Sequence, residues 1–142
     1  MHVSVHAQRW RLNVKIVVLA DQRKNELLVN FCIAYSQILA PHDLYSTLNT
    51  AKLLEVGTGL NVHGVATDIA SGLEQFASRA RFNEIDAVLY LRDPNMDNYD
   101  VQNPLMMACD TNSIPYASNI AAAEILVLAI DRGDLDWRNL IH

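Results

Sequence analysis

Apolar and polar residues come in blocks along this chain, and the blocks change period. Val14–Ala20 is a near-continuous, β-branched apolar run that stops at Asp21-Gln22-Arg23-Lys24. A short run of that kind predicts a strand buried on both faces. The period then lengthens: Leu27, Leu28, Phe31, Cys32, Tyr35 and Leu39 recur at helical steps. That spacing predicts a helix, which Pro41 ends. Asp43–Thr47 predicts a second strand. Ala51–Val56 predicts a helix capped by Asn49 or Thr50 and ended by Gly57 and Gly59. Asn61–Ala66 predicts a third, weaker strand. Thr67–Gly72 reads as a turn with Ser71 as a capping candidate, and Leu73–Phe82 as a helix with Leu73, Phe76 and Ala80 inward.

Ile85–Leu91 predicts the next strand. It stops at Arg92-Asp93-Pro94 and empties into a loop that carries Asp93, Asp97 and Asp100 with the amides Asn95, Asn98 and Asn103. A helix over Leu105–Asp110 starts at Asn103 or Pro104. Ile114–Ser118 is a short strand. Asn119 caps a helix over Ile120–Asp131 that Gly133 terminates. Strands alternating with helices predict an α/β fold: one three-layer, doubly wound domain with a mainly parallel sheet and right-handed connections. The domain spans 13–142. Residues 1–12 form an N-terminal tail, read as a frayed end, an added edge strand or an extension. Trp137, in the last segment, offers a surface for packing on a neighbour.

A chain of 142 residues fits one domain. At 51% hydrophobic and 19% charged it is globular rather than disordered. A net charge of −5 gives no basic footprint for nucleic acid. No run approaches the roughly 18 apolar residues of a membrane span. The opening MHVSVHAQRWRL lacks the continuous apolar stretch of a signal peptide. Cys32 and Cys109 sit in apolar, helix-like contexts without metal-like spacing. Buried free thiols are expected, which suits a reducing cytoplasm.

In such a fold the segments after successive strands converge at one sheet edge, where ligands bind. They are Asp21–Lys24, Thr47–Thr50, Thr67–Gly72 and Asp93–Asn103. Each precedes a helix, whose N–H groups and dipole favour an anion. Lys24 adds a charge, and Thr47, Asn49 and Thr50 add short donors. The pattern fits a phosphate or carboxylate site; it also fits ordinary helix caps beside a solvated lysine. Asp93-Pro94-Asn95-Met96-Asp97-Asn98 opens like a calcium loop, but Asn98 stands where Gly is needed and Pro104 where Glu is needed, so an EF-hand is rejected. The histidines are scattered and make no zinc pattern. Only His63 lies near the candidate edge, inside a strand. No Gly-rich P-loop or Rossmann phosphate loop is present.

Over about Val14 to Leu140 the chain resembles the methylglyoxal synthase family. The resemblance is carried by Leu-Arg-Asp93-Pro94 after a strand and by Ile114-Pro115-Tyr-Ala-Ser-Asn119 leading into Ala121–Leu126. Arg132-Gly133-Asp134-Leu135-Asp136-Trp137-Arg138 and His42 with Asp43–Thr47 add to it. It implies that relatives convert dihydroxyacetone phosphate to methylglyoxal and phosphate as homohexamers, without metal or cofactor. A carboxylate removes the proton beside the carbonyl and a histidine helps to move protons.

The functional motifs depart from that pattern. The family's Ala-His-Asp is Ala20-Asp21 here, while Lys24 keeps the place of a phosphate-binding lysine. Thr-Gly-Thr-Thr-Gly is Thr47-Leu48-Asn49-Thr50-Ala51, without either glycine. Ser-Gly-Pro-x-Gly-Gly-Asp-Gln is Thr67-Asp68-Ile69-Ala70-Ser71-Gly72-Leu73-Glu74, which puts Leu73 at the base position and Glu74 one residue on. Pro-His-x-x-Asp is Tyr99-Asp100-Val101-Gln102-Asn103.

The resemblance thus implies a methylglyoxal synthase-like protein without the usual catalytic Asp and His, serving as an oligomeric small-molecule-binding or regulatory module. Its expected partners are a small anionic or zwitterionic metabolite and itself, as a hexamer, with no nucleic acid and no membrane. The alternative is an active lyase with Glu74 as base and Asp100 as proton carrier; a purely structural oligomer is a third reading. Asp21, Lys24, Thr47, Leu48, Asn49, Thr50, Thr67 and Asp68 would surround the phosphate end of a substrate, with Asp93 and Asn103 also in the pocket.

Overall fold

A computed structural model describes residues 13–138. The elements run β1 (Lys15–Ala20), a 3-10 turn (Gln22–Lys24), α1 (Asn25–Ala34), α2 (Ser36–Leu39), β2 (Asp43–Thr47), α3 (Leu48–Thr58), β3 (Val62–Ala66), α4 (Ile69–Arg81), β4 (Ala87–Leu91), α5 (Pro104–Asn112), β5 (Tyr116–Ala117) and α6 (Ile120–Arg132). The strands form one parallel sheet in the order β3-β2-β1-β4-β5. The order reverses direction at β1, so the carboxyl ends of β1 and its two neighbours flank a topological switch point.

The apolar runs explain this order. β1 and β4 are the continuous runs of the sequence, and both lie inside the sheet with nearly every residue buried. Covered on both faces, they have no polar side to show. Ile16, Val18 and Ala20 face one way and pack with α1, α2, α3 and α6 through Leu28, Leu39, Leu54 and Val127. Val17 and Leu19 face the other way and pack with α4 and α5 through Phe76, Ala80, Leu105 and Cys109. Each Val, Leu, Ile or Phe among them contributes about 1.5–3 kcal/mol on burial. β3, at an edge, exposes His63 and Gly64, which accounts for its weaker pattern.

Several sequence-based boundaries shift. The long first helix is two, because the chain breaks its α-helical path at Tyr35 (φ −112°, ψ 23°). α3 begins at Leu48 with Thr47 in the cap position, so Asn49 and Thr50 lie inside its first turn rather than before it. Gly57 is within that helix; Gly59, at φ 78°, is the residue that stops it. The cap of α4 is Asp68, not Ser71: the Asp68 carboxylate accepts the Ser71 N–H at 2.8 Å. Most of Thr67–Gly72 is therefore the first turn of a helix. Asn103 and Asn119 cap α5 and α6 as their positions suggest. Residues 1–12 and 139–142, and so the tail reading, lie outside the described residues.

Both cysteines are buried free thiols, pushed up to about 12 chiefly by burial. His42 sits before β2, where its Nδ1 accepts the Val14 N–H at 3.1 Å. Only the neutral ring can accept there, and burial holds its pKa below the ordinary 6.5 despite Asp131, Asp43 and Asp136 nearby. The unfolded chain therefore takes up a proton at higher pH than the folded one. Stability from His42 is complete above the unfolded pKa and declines as pH falls through 6.5 toward the lower folded value. The thermal midpoint is expected to drop between about pH 7 and pH 5, and the drop should be smaller in His42→Asn, whose amide oxygen accepts without titrating. Equal slopes in the two proteins would remove His42 from the account.

Candidate active site

Asp21 follows the last residue of β1 and joins the two central strands. Its N–H donates to the Leu91 carbonyl at 2.9 Å, continuing the β1–β4 ladder. Its Oδ1 accepts the Tyr90 hydroxyl at 2.6 Å, and its Oδ2 accepts the Asp93 N–H, also at 2.6 Å. The Arg92 Nε lies 3.5 Å from Oδ2. Asp21 is 5% exposed, so this is a buried carboxylate held by short, charge-assisted bonds. Burial and the bond to Asp21 both push the Tyr90 phenol well above its usual range, keeping it a donor. Asp93 is buried next to it. Its Oδ1 turns back to accept the Asn95 N–H at 3.0 Å, which makes Asp93-Pro94 the pivot from strand to loop.

Arg92 carries the loop. Its guanidinium lies 5.1 Å from the Tyr90 ring centroid and 5.0 Å from that of Tyr99, and it donates to the Tyr99 carbonyl at 3.2 Å. The loop thus folds back over the end of β4 and then enters α5 at Asn103. The Asn103 side chain accepts the Leu105 N–H at 2.9 Å and the Met106 N–H at 3.3 Å.

Between this loop and α4 lies a cavity of about 590 Å³. Asp21, Glu74, Arg92 and Asn103 bring polar groups to it, and Ile69, Leu73 and Met96 give it an apolar wall. A second cavity, of about 930 Å³, opens between α1, α3 and the start of α4, with Asn25, Asn49, Thr50, Thr67 and Asp68 among its lining. Gln22 and Ile69 line both. The N-terminus of α4 reaches the sheet closely because Gly72 has no side chain; a Cβ there would meet Thr47 Cγ2 at 3.2 Å. At the same edge the β2–β3 register slips between Ser46 and Thr47.

All four segments expected at this edge contribute to these two cavities. The individual residues divide. Asp21, Glu74 and Asn103 line the first cavity, and Asn49, Thr50, Thr67 and Asp68 line the second. Thr47 is buried beneath, and Leu48 is half-exposed and packs over Gly64. Asp93 is buried in the pivot. Lys24 lines a different crevice, with Ser118 and Asn119. Asp100 is exposed and lies outside the linings of both strand-end cavities, so it is not brought together with Glu74 there. His63 is on β3 with its ring 5.2 Å from that of Tyr45, away from either lining. Asp68 is held below the ordinary carboxylate range, first by the Ser71 N–H it caps, and stays an anion.

Asn25, Tyr90 and Arg92 are site residues that sequence reasoning passed over, while Gln22 lies within the expected Asp21–Lys24 segment. Tyr90 reads as part of an apolar strand. Its hydroxyl gains a role only because parallel pairing sets β4 beside β1. Asn25 leaves a buried side-chain oxygen without a hydrogen-bond partner among the described residues.

The chain is 43% identical over 132 residues to methylglyoxal synthase from Caldicellulosiruptor saccharolyticus, covering 91% of this chain and 93% of the relative. It is 36% identical over 132 residues to methylglyoxal synthase from Geobacillus thermodenitrificans, covering 91% of each. The chain belongs to the methylglyoxal synthase family. The solved methylglyoxal synthase of Elizabethkingia anophelis shares the fold, with a TM-score of 0.72 at 24% identity over 81% of this chain and 77% of that one. No family model matches the chain. Membership in the methylglyoxal synthase family agrees with the five-stranded parallel sheet.

Proposed function

We propose that this member of the methylglyoxal synthase family binds a small zwitterionic metabolite at the strand-end cavities and lacks the family's usual proton-transfer pair. The observation that carries the reading is Leu73. The resemblance puts the catalytic base there, and in this chain an apolar side chain lines the cavity at that place. Asp100, at the position of the family's histidine, is outside the lining. One positioned acid or base is worth about 10²–10⁴-fold in rate, so the absence of two removes most of the synthase reaction.

The remaining charges favour a zwitterion. Glu74 and Arg92 line one cavity with opposite signs. Asp68 adds a standing negative charge next door, unfavourable for a phosphate dianion. An ammonium–carboxylate ligand satisfies both signs. Glu74 also supports a second reading: it is a carboxylate with no ion pair among the described residues, in the same cavity as Asp21 and Asn103, the arrangement a lyase with a displaced base would need.

The exposed apolar side chains Ile125 and Leu128 on α6, with Phe82, Val56 and Trp137 elsewhere, support self-association, as a homohexamer by family resemblance. Buried free thiols support a cytoplasmic setting.

The deciding measurement is methylglyoxal formation from dihydroxyacetone phosphate by the purified protein. The expected rate is about 10³-fold or more below that of an active relative. Amino acids should raise the thermal midpoint more than dihydroxyacetone phosphate does. A synthase-level rate that Glu74→Gln abolishes would establish the lyase reading instead.

A further inference from the structure

The second strand-end cavity extends beyond the residues expected around a phosphate. Asn49, Thr50, Thr67 and Asp68 belong to its strand end, but it continues between α1 and α3 along Val29, Leu53 and Gly57, with the exposed Lys52 also in the lining. Gly57 brings the two helices together along this extension: a Cβ there would meet Val29 Cγ1 at 2.9 Å. From the segment after β1 the cavity receives Gln22 and Asn25, while Lys24 serves the crevice beside α6. The start of α1 therefore offers this cavity an amide and not a cation. The Asn25 Oδ1 is covered and has no hydrogen-bond partner among the described residues. A buried carbonyl oxygen without a donor is costly, and a ligand N–H that the amide can turn to meet removes that cost. Asp68 adds a carboxylate to the same lining. Both acceptors suit a donor, and a cationic donor best. Lys52 forms no ion pair among the described residues and is available to an anion. At about 930 Å³ the cavity has the size that encloses a whole small molecule, body included.

We propose, on the basis of the zwitterionic ligand argued above, that the metabolite is an α-amino acid with an aliphatic side chain. Its ammonium would lie on Asn25 and Asp68, its carboxylate toward Lys52, and its hydrocarbon between Val29 and Leu53. Asn25 is then the residue that selects an ammonium over a phosphate.

Calorimetric titration of the full chain with leucine, glycine, 4-methylpentanoate (leucine without its ammonium) and inorganic phosphate tests this. Leucine is expected to bind about tenfold or more tightly than glycine, through the apolar area that its side chain buries. It should also bind about tenfold or more tightly than 4-methylpentanoate, the usual worth of a charge-assisted hydrogen bond. Asn25→Leu removes the acceptor and should weaken leucine about tenfold. Asn25→Lys should weaken leucine at least as much while tightening 4-methylpentanoate, a reversal that a merely structural role for Asn25 would not produce. Leu53→Ser, at a position 46% exposed, should weaken leucine and leave glycine unchanged. Glycine binding as tightly as leucine overturns the aliphatic assignment and leaves the zwitterionic ligand standing; no binding by either amino acid overturns both. Leucine held equally well by the wild type and both Asn25 variants, or held more weakly than inorganic phosphate, also overturns the proposal.

Discussion

Leu73→Asp combined with Asp100→His is expected to raise methylglyoxal formation from dihydroxyacetone phosphate by about 10²-fold or more over the unmodified chain, since a base restored in the cavity at position 73 is worth about 10²–10⁴-fold. Leu73 lines the cavity, on the first turns of a helix held by the Asp68 cap and by the close approach of Gly72 to Thr47. An Asp at 73 projects from that rigid support. Glu74 is about 100° further round the helix and points along a different line. Asp100→His removes one negative charge from the loop. The control is Leu73→Asn, which matches Asp in size but cannot take a proton; its rate should stay at the wild-type level. If the double variant folds and its rate equals that of the control, the family's base position does not map onto Leu73, and the binding-module reading loses its main support.

The fold was legible because the strands that matter most are the most apolar. Val14–Ala20 and Ile85–Leu91 could only be satisfied inside a sheet covered on both faces, and they became β1 and β4. The site was less legible, for reasons that differ by residue. Asn103 and Asn119 announce helix starts by chemistry local to the chain, and both are caps. Asp68 was hidden because Ser71 is an equally good cap by composition, and only backbone geometry chooses between them. Asp21 was visible as a carboxylate at a strand end. Its engagement with Tyr90 and the Asp93 N–H depends on which strand lies beside β1, a long-range fact with no local signal. Lys24 follows its family position in sequence, yet lines a crevice with α6 rather than either cavity at the α3 and α4 N-termini. A one-dimensional motif fixes where the Cα lies along the chain, not which side of the sheet edge a long flexible side chain serves.

Arg138→Met is expected to destabilise the domain by about 3–5 kcal/mol, the usual loss when one member of a buried ionic cluster is removed. The side chain is 1% exposed. Its Nη2 donates to Asn83 Oδ1 at 2.8 Å and to the Ile85 carbonyl at 3.4 Å, and its Nη1 donates to the Asn112 and Ser113 carbonyls. The Nε lies 3.6 Å from Asp86 Oδ1, without a hydrogen bond of its own among the described residues. Asp86 in turn accepts the Lys15 N–H at 2.9 Å at the start of β1. One guanidinium therefore ties together the turn after α4, the turn after α5 and the entry to the central strands. Two of its anchors, Asn83 (φ 55°) and Ser113 (φ 56°), are non-glycine residues in the left-handed region, which a surrounding structure must hold. Methionine fills the volume but leaves three carbonyls and an amide oxygen without donors in a buried place. At about 2–4 °C per kcal/mol for a domain of this size, the thermal midpoint should fall by roughly 10 °C. Arg138→Lys keeps the charge but not the fork, so it should lose a substantial part of the same stability. Differential scanning calorimetry decides it: a midpoint within about 2 °C of wild type for Arg138→Met would mean that water replaces the guanidinium and that the cluster adds little.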